Sequence, residues 1–521
     1  MESSEREYIG NGFAKRSFLI SLLRVVARII GFVRQIMIAN IFGASSLTDA
    51  YFVAYQFQAV VGLLLGFGPF QSIVTTSVIN EKKKNGDRYA NILLGRIVSN
   101  QLVLGLLLIS ILFAFDKIWI KLIAPGFTPE NAKVLMALSH LILPGTLFLS
   151  LMSIASSGLY SIKIFIPSEL SNALNSIIVL LSLIILYKIS SIYSLGFGHF
   201  FGGVLSFALV LYFLHRYKVI TFVKPNFSSP EIKELYILYI SVGAFTIFNQ
   251  IFVLAERHFA SYLEPGKITA ISLAHMLVGS ILYTIISPML LVIHTEISLA
   301  FTYSIEQFRD KFIKFLHIIL YIMLPSSAIL FMLSHNIITF LFYHGKFDWE
   351  AVSNTSIALK FFAVGLVFQG IYLYFLRVVT AMQSIKSYTF KAVISWAISI
   401  VLMWYLFQKY QYIGILISVV ISFFVQAVLL FIIIISKLHL NFKYAFIPIL
   451  KIVLITLISS VLSTATLKFR LIPLPSTPFM LRNLIILVCT TLIFLATYIG
   501  GSMLLKLEYF KYLVSFLRRK H

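Results

Sequence analysis

The sequence is poor in charged residues, in carboxylates and in cysteine, and each scarcity excludes a class of protein. Charged residues make up 12% of the 521 positions, whereas a soluble globular chain carries about 25%. The one cysteine, Cys489, excludes a disulfide framework and a thiolate metal site. Only 19 aspartates and glutamates stand against 42 lysines and arginines, so acid–base catalysis has few candidate groups. The nucleotide-loop, zinc-protease and serine-elbow motifs are absent as well, and we predict no enzyme.

Long apolar runs take the place of these features. Hydrophobic residues make up 59% of the chain, and runs near the length of a membrane-spanning helix, about 20 residues, recur from end to end. The pattern predicts an all-α polytopic membrane protein with about 14 transmembrane helices. The predicted spans cover residues 17–42, 49–79, 91–115, 131–160, 168–187, 193–214, 235–262, 268–300, 312–342, 351–381, 388–407, 413–436, 446–466 and 478–505.

Two pairs of short matches indicate an internal duplication. Ile38–Phe42 resembles Phe259–Leu263, and the tripeptide Ser161–Lys163 recurs as Ser384–Lys386 at nearly the same offset. We therefore predict two parallel six-helix lobes, and transporters built from such repeats bind substrate between them. The predicted organisation is an N-terminal six-helix lobe, a C-terminal six-helix lobe, and two additional C-terminal helices with a basic tail. These domains cover residues 1–216, 217–437 and 438–521.

The net charge of +23 reflects membrane orientation rather than nucleic-acid binding. Lysine and arginine collect in the cytoplasmic loops of membrane proteins. Strong basic clusters occur at Lys82–Lys84, between Arg216 and Lys233, and at Arg518–Lys520. An even number of spans with both termini in the cytoplasm places these clusters inside. We predict a multi-pass protein of the bacterial inner membrane that contacts membrane lipids and no nucleic acid.

Three arginines, Arg24, Arg28 and Arg34, lie in the first apolar run. An arginine at mid-membrane costs about 2.5–3.5 kcal/mol on the insertion scale, so such a helix needs a water-filled cavity or a partner. The planar guanidinium group binds phosphate oxygens bidentately, which predicts an anion-binding wall. Arg24 has the alternative of extending to the inner membrane interface. Gly31, between the other two arginines, is a candidate position for a bend.

Five further polar or ionisable residues within predicted spans are candidates for cavity or gating roles. Asp49 opens the second span, where it could cap the helix or pair with an arginine. Glu256 and Arg257 are adjacent in the seventh span and suggest a structural ion pair. His275 in the eighth span is either a packing residue or a proton relay, and Arg377 lies near the inner end of the tenth span.

The segments Arg28–Arg34, Phe42–Ala44 and Thr48–Ala54 resemble the opening signature of the MurJ/MviN lipid II flippases, within the multidrug/oligosaccharidyl-lipid/polysaccharide exporter superfamily. Glu256–Ala270 is similar to that family's seventh-to-eighth helix junction, and Gly158–Asn175 to its fourth-to-fifth junction. The resemblance spans most of the chain.

The resemblance implies two six-helix lobes around a cationic cavity, with two extra helices forming a groove for a polyprenyl tail. It implies alternating access without a cofactor, driven by the membrane potential or an ion gradient. The implied substrate is a polyprenyl-pyrophosphate-linked saccharide, and cell-wall synthesis enzymes are candidate partners. Among the family's site residues, Arg28, Arg34 and Asp49 carry over to this chain.

Several cavity charges of the family have no counterpart in this sequence. Gln35, which with Gly31 is a further candidate for a cavity or gating role, stands where the family usually has an acidic residue. His275 stands where it usually has an arginine. Gly62, Leu63 and Phe67 stand where its second helix usually carries an arginine pair and an acidic residue. The expected function is a flippase for a lipid II-type peptidoglycan precursor or for another lipid-linked oligosaccharide, such as an O-antigen or exopolysaccharide unit.

Three rival functions remain open on the sequence alone. An ion-coupled exporter of small organic cations would need more carboxylates within the spans. An integral-membrane glycosyltransferase would need acidic or histidine residues in a large external loop, and the outer loops here are short. A non-transporting scaffold would tolerate neutral replacement of Arg28 and Arg34.

Overall fold

Every regular element is a helix in the part of the chain that the computed structural model describes, residues 2–438, 442–468, 478–507 and 509. Helices suit this composition because they satisfy their backbone hydrogen bonds internally, and lipid offers no alternative partner. The predicted all-α polytopic fold class is confirmed. In chain order the helices are α1 (Glu2–Phe42), α2 (Ser46–Leu64), α3 (Pro69–Asn85), α4 (Asp87–Ala114), α5 (Asp116–Ile123), α6 (Pro129–Ser161), α7 (Ile166–Ser190), α8 (Tyr193–Arg216), α9 (Pro230–Ala260), α10 (Lys267–Ile281), α11 (Ser287–Tyr303), α12 (Ile305–Met332), α13 (Ser334–Phe342), α14 (Trp349–Ala381), α15 (Ile385–Leu438), α16 (Phe442–Lys468) and α17 (Phe479–Leu504).

Within the described residues, eleven helical stretches are long and apolar enough to cross a membrane. One of them lies in α15, which has 54 residues. A straight helix of that length would extend ~80 Å, against a hydrocarbon core of ~30 Å. Gln411 interrupts α15 with a non-helical φ of 47° and ψ of −118°. Since Gln411 lies between the predicted spans 388–407 and 413–436, α15 has the length and the break for two crossings.

The predicted span 49–79 is wrong as a single helix. α2 ends at Leu64 and α3 begins at Pro69, and the intervening Gly66 and Gly68 both have φ of 88°. Glycine adopts this left-handed conformation readily because it has no Cβ. Proline is favoured in the first turn of a helix, where its missing N–H is not needed. The Gly-Phe-Gly-Pro segment therefore ends one helix and begins the next.

Two other predicted spans contain irregularities, and one of these divides its helix. The span 268–300 runs through α10 and α11, which are joined by a π-helical turn at Leu282–Ile286. Pro288 follows that turn, and its missing N–H removes a hydrogen bond from the helix ladder. The span 312–342 is divided at Leu333 between α12 and α13.

The chain divides into two compact units, the first of which is Met1–Tyr262. α6 lies at its centre and packs against α2, α3, α4 and α8, while α7 covers α8 and contacts α1. α9 also belongs to this unit. Gln56 of α2 donates a hydrogen bond to Gln250 of α9 over 3.0 Å, and the Tyr236 hydroxyl of α9 donates to Gln101 of α4 over 3.3 Å.

The second unit is Leu263–His521. α14 is central to it and packs against α10, α11, α12, α13 and α15. The C-terminal helices α16 and α17 pack on α12 through a cluster of buried side chains: Tyr321, Ile452, Ile455, Phe494, Tyr498 and Leu507. The basic tail at Arg518–Lys520 lies outside the described residues.

The compact units divide after Tyr262, whereas the predicted lobes divide after residue 216. The two divisions rest on different properties. The compact units are defined by which residues pack together, whereas the predicted lobes are defined by an internal sequence repeat. α9 shows the difference most clearly, since it is the predicted first helix of the second lobe but packs in the first unit. The lobe boundaries at 216/217 and 437/438 stay predictions.

Candidate substrate-binding site

The three arginines of α1 lie in different environments. Arg24 and Arg28 are exposed, whereas only 7% of the Arg34 surface is exposed. α1 is helical on both sides of Gly31 and through it, and a Cβ built at Gly31 would meet no atom within 4 Å. Of the three, Arg34 is the buried cation within the first unit.

Arg24 is paired with a carboxylate that the sequence did not single out. Its guanidinium group donates to Glu169 Oε1 of α7. The Glu169 side chain is only 6% exposed, whereas the Arg24 side chain is 61% exposed. The pair joins α1 to α7, and Glu169 neutralises the charge of Arg24. The predicted contact between Arg24 and substrate stays a prediction.

Arg34 has aromatic neighbours instead of a carboxylate. Its guanidinium carbon lies over the Tyr55 ring, 5.8 Å from the ring centroid. Among the residues that the structure describes, no carboxylate forms an ion pair with Arg34, and its Nε has no hydrogen-bond partner. A buried cation in this state is costly, and an anionic ligand would relieve the cost.

Tyr51 links this cluster to α8. Its hydroxyl shares a hydrogen bond of 3.2 Å with His199 Nε2, and both side chains are buried. The Tyr55 ring lies 6.0 Å from the Tyr51 ring and 5.5 Å from the His199 ring, centroid to centroid. Tyr55 is 37% exposed and is the accessible member of the cluster. We call Arg34, Tyr51, Tyr55 and His199 the Arg34 cluster.

Glycines allow α6 and α8 to approach closely at this point. A Cβ built on Gly145 of α6 would lie 2.3 Å from the His199 carbonyl oxygen. One built on Gly203 of α8 would lie 2.3 Å from the Gly145 carbonyl oxygen. Backbone atoms cannot move aside as a flexible side chain can, so both positions require glycine. The close contact fixes the part of α8 that carries His199.

Gln35, next to Arg34, is also buried. Its side chain is 8% exposed, and its Oε1 atom has no hydrogen-bond partner among the described residues. A neutral amide at this position leaves the charge of Arg34 uncompensated. The predicted cavity role of Gln35 stays a prediction.

A second cluster of charged side chains in the same unit lies where α2 and α9 meet. Arg257 lies 3.8 Å from Glu256, and Asp49 acts on Arg257 electrostatically. All three are buried. Ser45, not Asp49, is the N-cap of α2, because its side chain accepts from the Thr48 backbone N–H. The capping interpretation of Asp49 is therefore wrong, since a residue inside the first turn cannot occupy the cap position.

The two candidates of the second unit have different surroundings. The His275 ring stacks on Phe362 of α14 at a centroid distance of 4.0 Å, which fits a packing role. The Arg377 side chain is exposed, and its backbone carbonyl lies 3.2 Å from His294 Nδ1. The gating roles of His275 and Arg377 stay predictions.

Sequence reasoning missed Glu169, Tyr51, Tyr55 and His199. Glu169 is one of only 19 acidic residues, and its place in an apolar span was a usable signal. His199 was also detectable, because it is an ionisable residue within a predicted span. No spacing connects Tyr51 with a histidine 148 residues away, and only the fold brings them together.

Known proteins resemble this chain in sequence and in fold. The chain is 32% identical over 358 residues to the probable lipid II flippase MurJ of Buchnera aphidicola subsp. Acyrthosiphon pisum (strain APS), covering 67% of this chain and 69% of that protein. A solved structure of lipid II flippase MurJ in an inward closed conformation matches with a TM-score of 0.78 at 22% identity, over 95% of this chain and 100% of that one.

A structure of a multidrug resistance MATE family transporter of the MOP superfamily, in an inward-facing conformation, matches with a TM-score of 0.64 at 15% identity. That match covers 79% of this chain and 95% of the transporter, and it reflects the fold alone. The family pattern described as lipid II flippase MurJ matches residues 38–514. That range contains α2 to α17 and the whole Arg34 cluster except Arg34 itself. This multi-pass membrane protein therefore belongs to the lipid II flippase MurJ family.

Proposed function

We propose that this chain translocates lipid II, a polyprenyl-pyrophosphate-linked saccharide, across the bacterial inner membrane. Its membership of the lipid II flippase family supports this substrate. The observation that carries the proposal is Arg34, a buried cation with no carboxylate partner among the described residues. A pyrophosphate group would supply the missing negative charge, and the guanidinium group can bind its oxygens bidentately. Arg28 adds a second positive charge on the same helix.

The transport cycle that we propose is alternating access without a cofactor. The interior of the cell is negative, so moving an anionic headgroup outward is favoured by about 2.3 kcal/mol per charge per 100 mV. An ion gradient is the alternative source of energy. Asp49 of α2 and Arg257 of α9 would hold these helices together during the cycle, because both are buried and their charges are opposite.

The remaining features of the proposal concern chemistry and place. The protein would act as a transporter and not as an enzyme, in contact with membrane lipids and with cell-wall synthesis enzymes as candidate partners. Both termini would lie in the cytoplasm, because that orientation places the basic clusters at Lys82–Lys84 and Arg216–Lys233 inside.

Another lipid-linked oligosaccharide, such as an O-antigen or exopolysaccharide unit, is the second candidate substrate. Gln35 supports it. The family usually has an acidic residue after its second arginine, whereas this chain has a buried neutral amide. The surroundings of Arg34 are therefore more positive than the resemblance alone implies, which would suit a headgroup of different charge.

Depletion of the protein in its own host tests both candidates. Inner-leaflet polyprenyl-linked precursors would be quantified by mass spectrometry, with wild-type chain, Arg34→Gln and Lys83→Gln each supplied from a second copy. Lys83 is exposed at the end of α3 and serves as the matched charge control. We expect lipid II to accumulate on depletion. The wild-type chain and Lys83→Gln should relieve this accumulation, whereas Arg34→Gln should not.

The other outcomes separate the candidates. Normal lipid II with accumulation of a different lipid-linked saccharide would replace the first candidate by the second. Normal levels of every precursor would contradict both and favour an exporter of small molecules.

A further inference from the structure

His199 is a buried titratable residue that the proposed function does not use. It lies on α8 and is 2% exposed. Its Nε2 shares a hydrogen bond with the Tyr51 hydroxyl, whereas its Nδ1 has no partner among the described residues. A histidine that serves only packing usually satisfies both ring nitrogens when it is buried, because an unpaired buried nitrogen costs free energy.

The unpaired nitrogen of His199 has a counterpart in Arg34. Arg34 Nε is likewise buried and has no hydrogen-bond partner in the part of the chain that the structure describes. The two side chains share Tyr55 as a neighbour, since the Tyr55 ring lies 5.5 Å from the His199 ring and 5.8 Å from the Arg34 guanidinium carbon. Arg34 also acts on His199 electrostatically. One ligand that reached both of these nitrogens would satisfy them together.

The chemistry of the two nitrogens selects the ligand. Arg34 Nε–H is always a donor. If the Tyr51 hydroxyl donates to His199 Nε2, the neutral ring carries its proton on Nδ1, and Nδ1–H is a second donor. A cation and a neutral donor together fit an oxygen of a phosphate group. Tyr55 is exposed and its ring lies over the Arg34 guanidinium group, so we expect it to move aside when an anion binds Arg34.

We propose that His199 is a second anion-contacting residue, held by Tyr51 so that its Nδ1–H and Arg34 together bind the pyrophosphate of the substrate. The proposal rests on the proposed function, because it assigns the anion to a lipid-linked pyrophosphate. It goes beyond that function by adding His199 as a ligand, Tyr51 as the residue that positions it, and Tyr55 as the side chain that covers the site.

Two substitutions of His199 distinguish a ligand from a packing residue. In His199→Asn the side-chain amide nitrogen can stand near the place of Nδ1, but the contact with Tyr51 is lost. In His199→Gln the amide can reach the place of Nε2 and keep the contact with Tyr51, but nothing replaces Nδ1. If His199 binds the anion, His199→Asn should retain more pyrophosphate binding than His199→Gln. If His199 serves only packing, His199→Gln should retain more.

The experiment measures binding of a polyprenyl pyrophosphate to the full chain in lipid nanodiscs, with the uncharged polyprenol of the same chain length as the second probe. We expect His199→Gln to weaken pyrophosphate binding about tenfold or more and His199→Asn to weaken it clearly less. Polyprenol binding should change in neither variant, because the tail does not contact this cluster in the proposal. The thermal unfolding midpoint of each variant reports folding independently.

Tyr51→Phe provides a variant that keeps the shape of the cluster. It removes only the hydroxyl that holds His199, and we expect weaker pyrophosphate binding with unchanged polyprenol binding. Equal binding by wild type, His199→Gln and Tyr51→Phe would overturn the proposal, as would better binding by His199→Gln than by His199→Asn. If wild type itself bound the pyrophosphate no better than polyprenol, the proposed function would fail together with this inference. The two failures are distinguishable, because failure of this inference alone would leave wild-type binding of the pyrophosphate stronger than its binding of polyprenol.

Discussion

The ion pair between Arg24 of α1 and Glu169 of α7 is asymmetric, because only the carboxylate is buried. The Glu169 side chain is 6% exposed and the Arg24 side chain 61%. A buried carboxylate that loses its cation retains the full cost of having left water. An exposed Arg24 guanidinium that loses its carboxylate can extend to water and lipid headgroups at the inner membrane interface instead. The two partners should therefore respond differently to neutralisation.

We expect Arg24→Gln to lower the free energy of unfolding by about 1–3 kcal/mol, since it leaves Glu169 buried without its cation. Glu169→Gln should lower it by less than about 1 kcal/mol, because Arg24 is mostly exposed. Thermal unfolding of the purified variants measures both effects, and the double variant should resemble Glu169→Gln. Equal losses for the two single variants would contradict the asymmetry.

Arg34→Ala should separate transport from folding. The substitution removes a buried cation that has no carboxylate partner among the described residues, so the thermal unfolding midpoint should stay the same or rise. Transport of labelled lipid II in reconstituted vesicles should fall about tenfold or more, because a charge-assisted hydrogen bond to phosphate contributes about 1.5–3 kcal/mol. Arg34→Lys should retain part of the activity, since lysine keeps the charge but not the bidentate geometry. Full transport by Arg34→Ala would show that Arg34 does not bind the substrate.

Gly145→Ala should strongly destabilise the first unit. The added Cβ would lie 2.3 Å from the His199 carbonyl oxygen, so α6 and α8 would have to separate. Forcing extra atoms into a well-packed core costs about 1–3 kcal/mol. Gly31→Ala is the matched control because its Cβ would meet no atom within 4 Å and its position is helical. Alanine there should stabilise the helix by about 0.5–1 kcal/mol. Similar unfolding midpoints for the two variants would contradict the close approach of α6 and α8.

The fold was largely predictable because its signal is local. A run of about 20 apolar residues indicates a span whatever the rest of the chain does. The break between α2 and α3 also had a local signal in Gly66, Gly68 and Pro69. The prediction of one span over 49–79 gave hydropathy priority over these turn residues. The assignment of α9 to the first unit had no local signal, because it follows from contacts such as that between Gln56 and Gln250.

The candidate site was predictable only where one residue carried the signal alone. Arg34 stood out because a cation in an apolar run is costly wherever it packs. His199 lies in a glycine-rich stretch of α8, and its significance depends on Tyr51, which is far away in sequence. Glu169 likewise becomes meaningful only through Arg24. Pairs of this kind cannot be found from spacing, since helices that pack together are connected by no fixed sequence distance.

Arg257 should be more sensitive to neutralisation than either carboxylate beside it. It lies 3.8 Å from Glu256 and is acted on electrostatically by Asp49, and all three side chains are buried. Arg257→Gln removes the cation that both carboxylates share, which should cost about 3–5 kcal/mol of unfolding free energy. Glu256→Gln should cost less, because Asp49 still faces Arg257.

Thermal unfolding and the yield of folded protein in detergent measure these effects, and the double variant Arg257→Gln with Glu256→Gln should recover part of the loss. Recovery is expected because Arg257→Gln removes the cation from two buried carboxylates, Asp49 and Glu256. In the double variant only Asp49 remains as a carboxylate that has lost this cation. A double variant that is less stable than Arg257→Gln would mean that Glu256 is held by groups other than Arg257. The link between α2 and α9 would then depend on neutral contacts such as the hydrogen bond between Gln56 and Gln250.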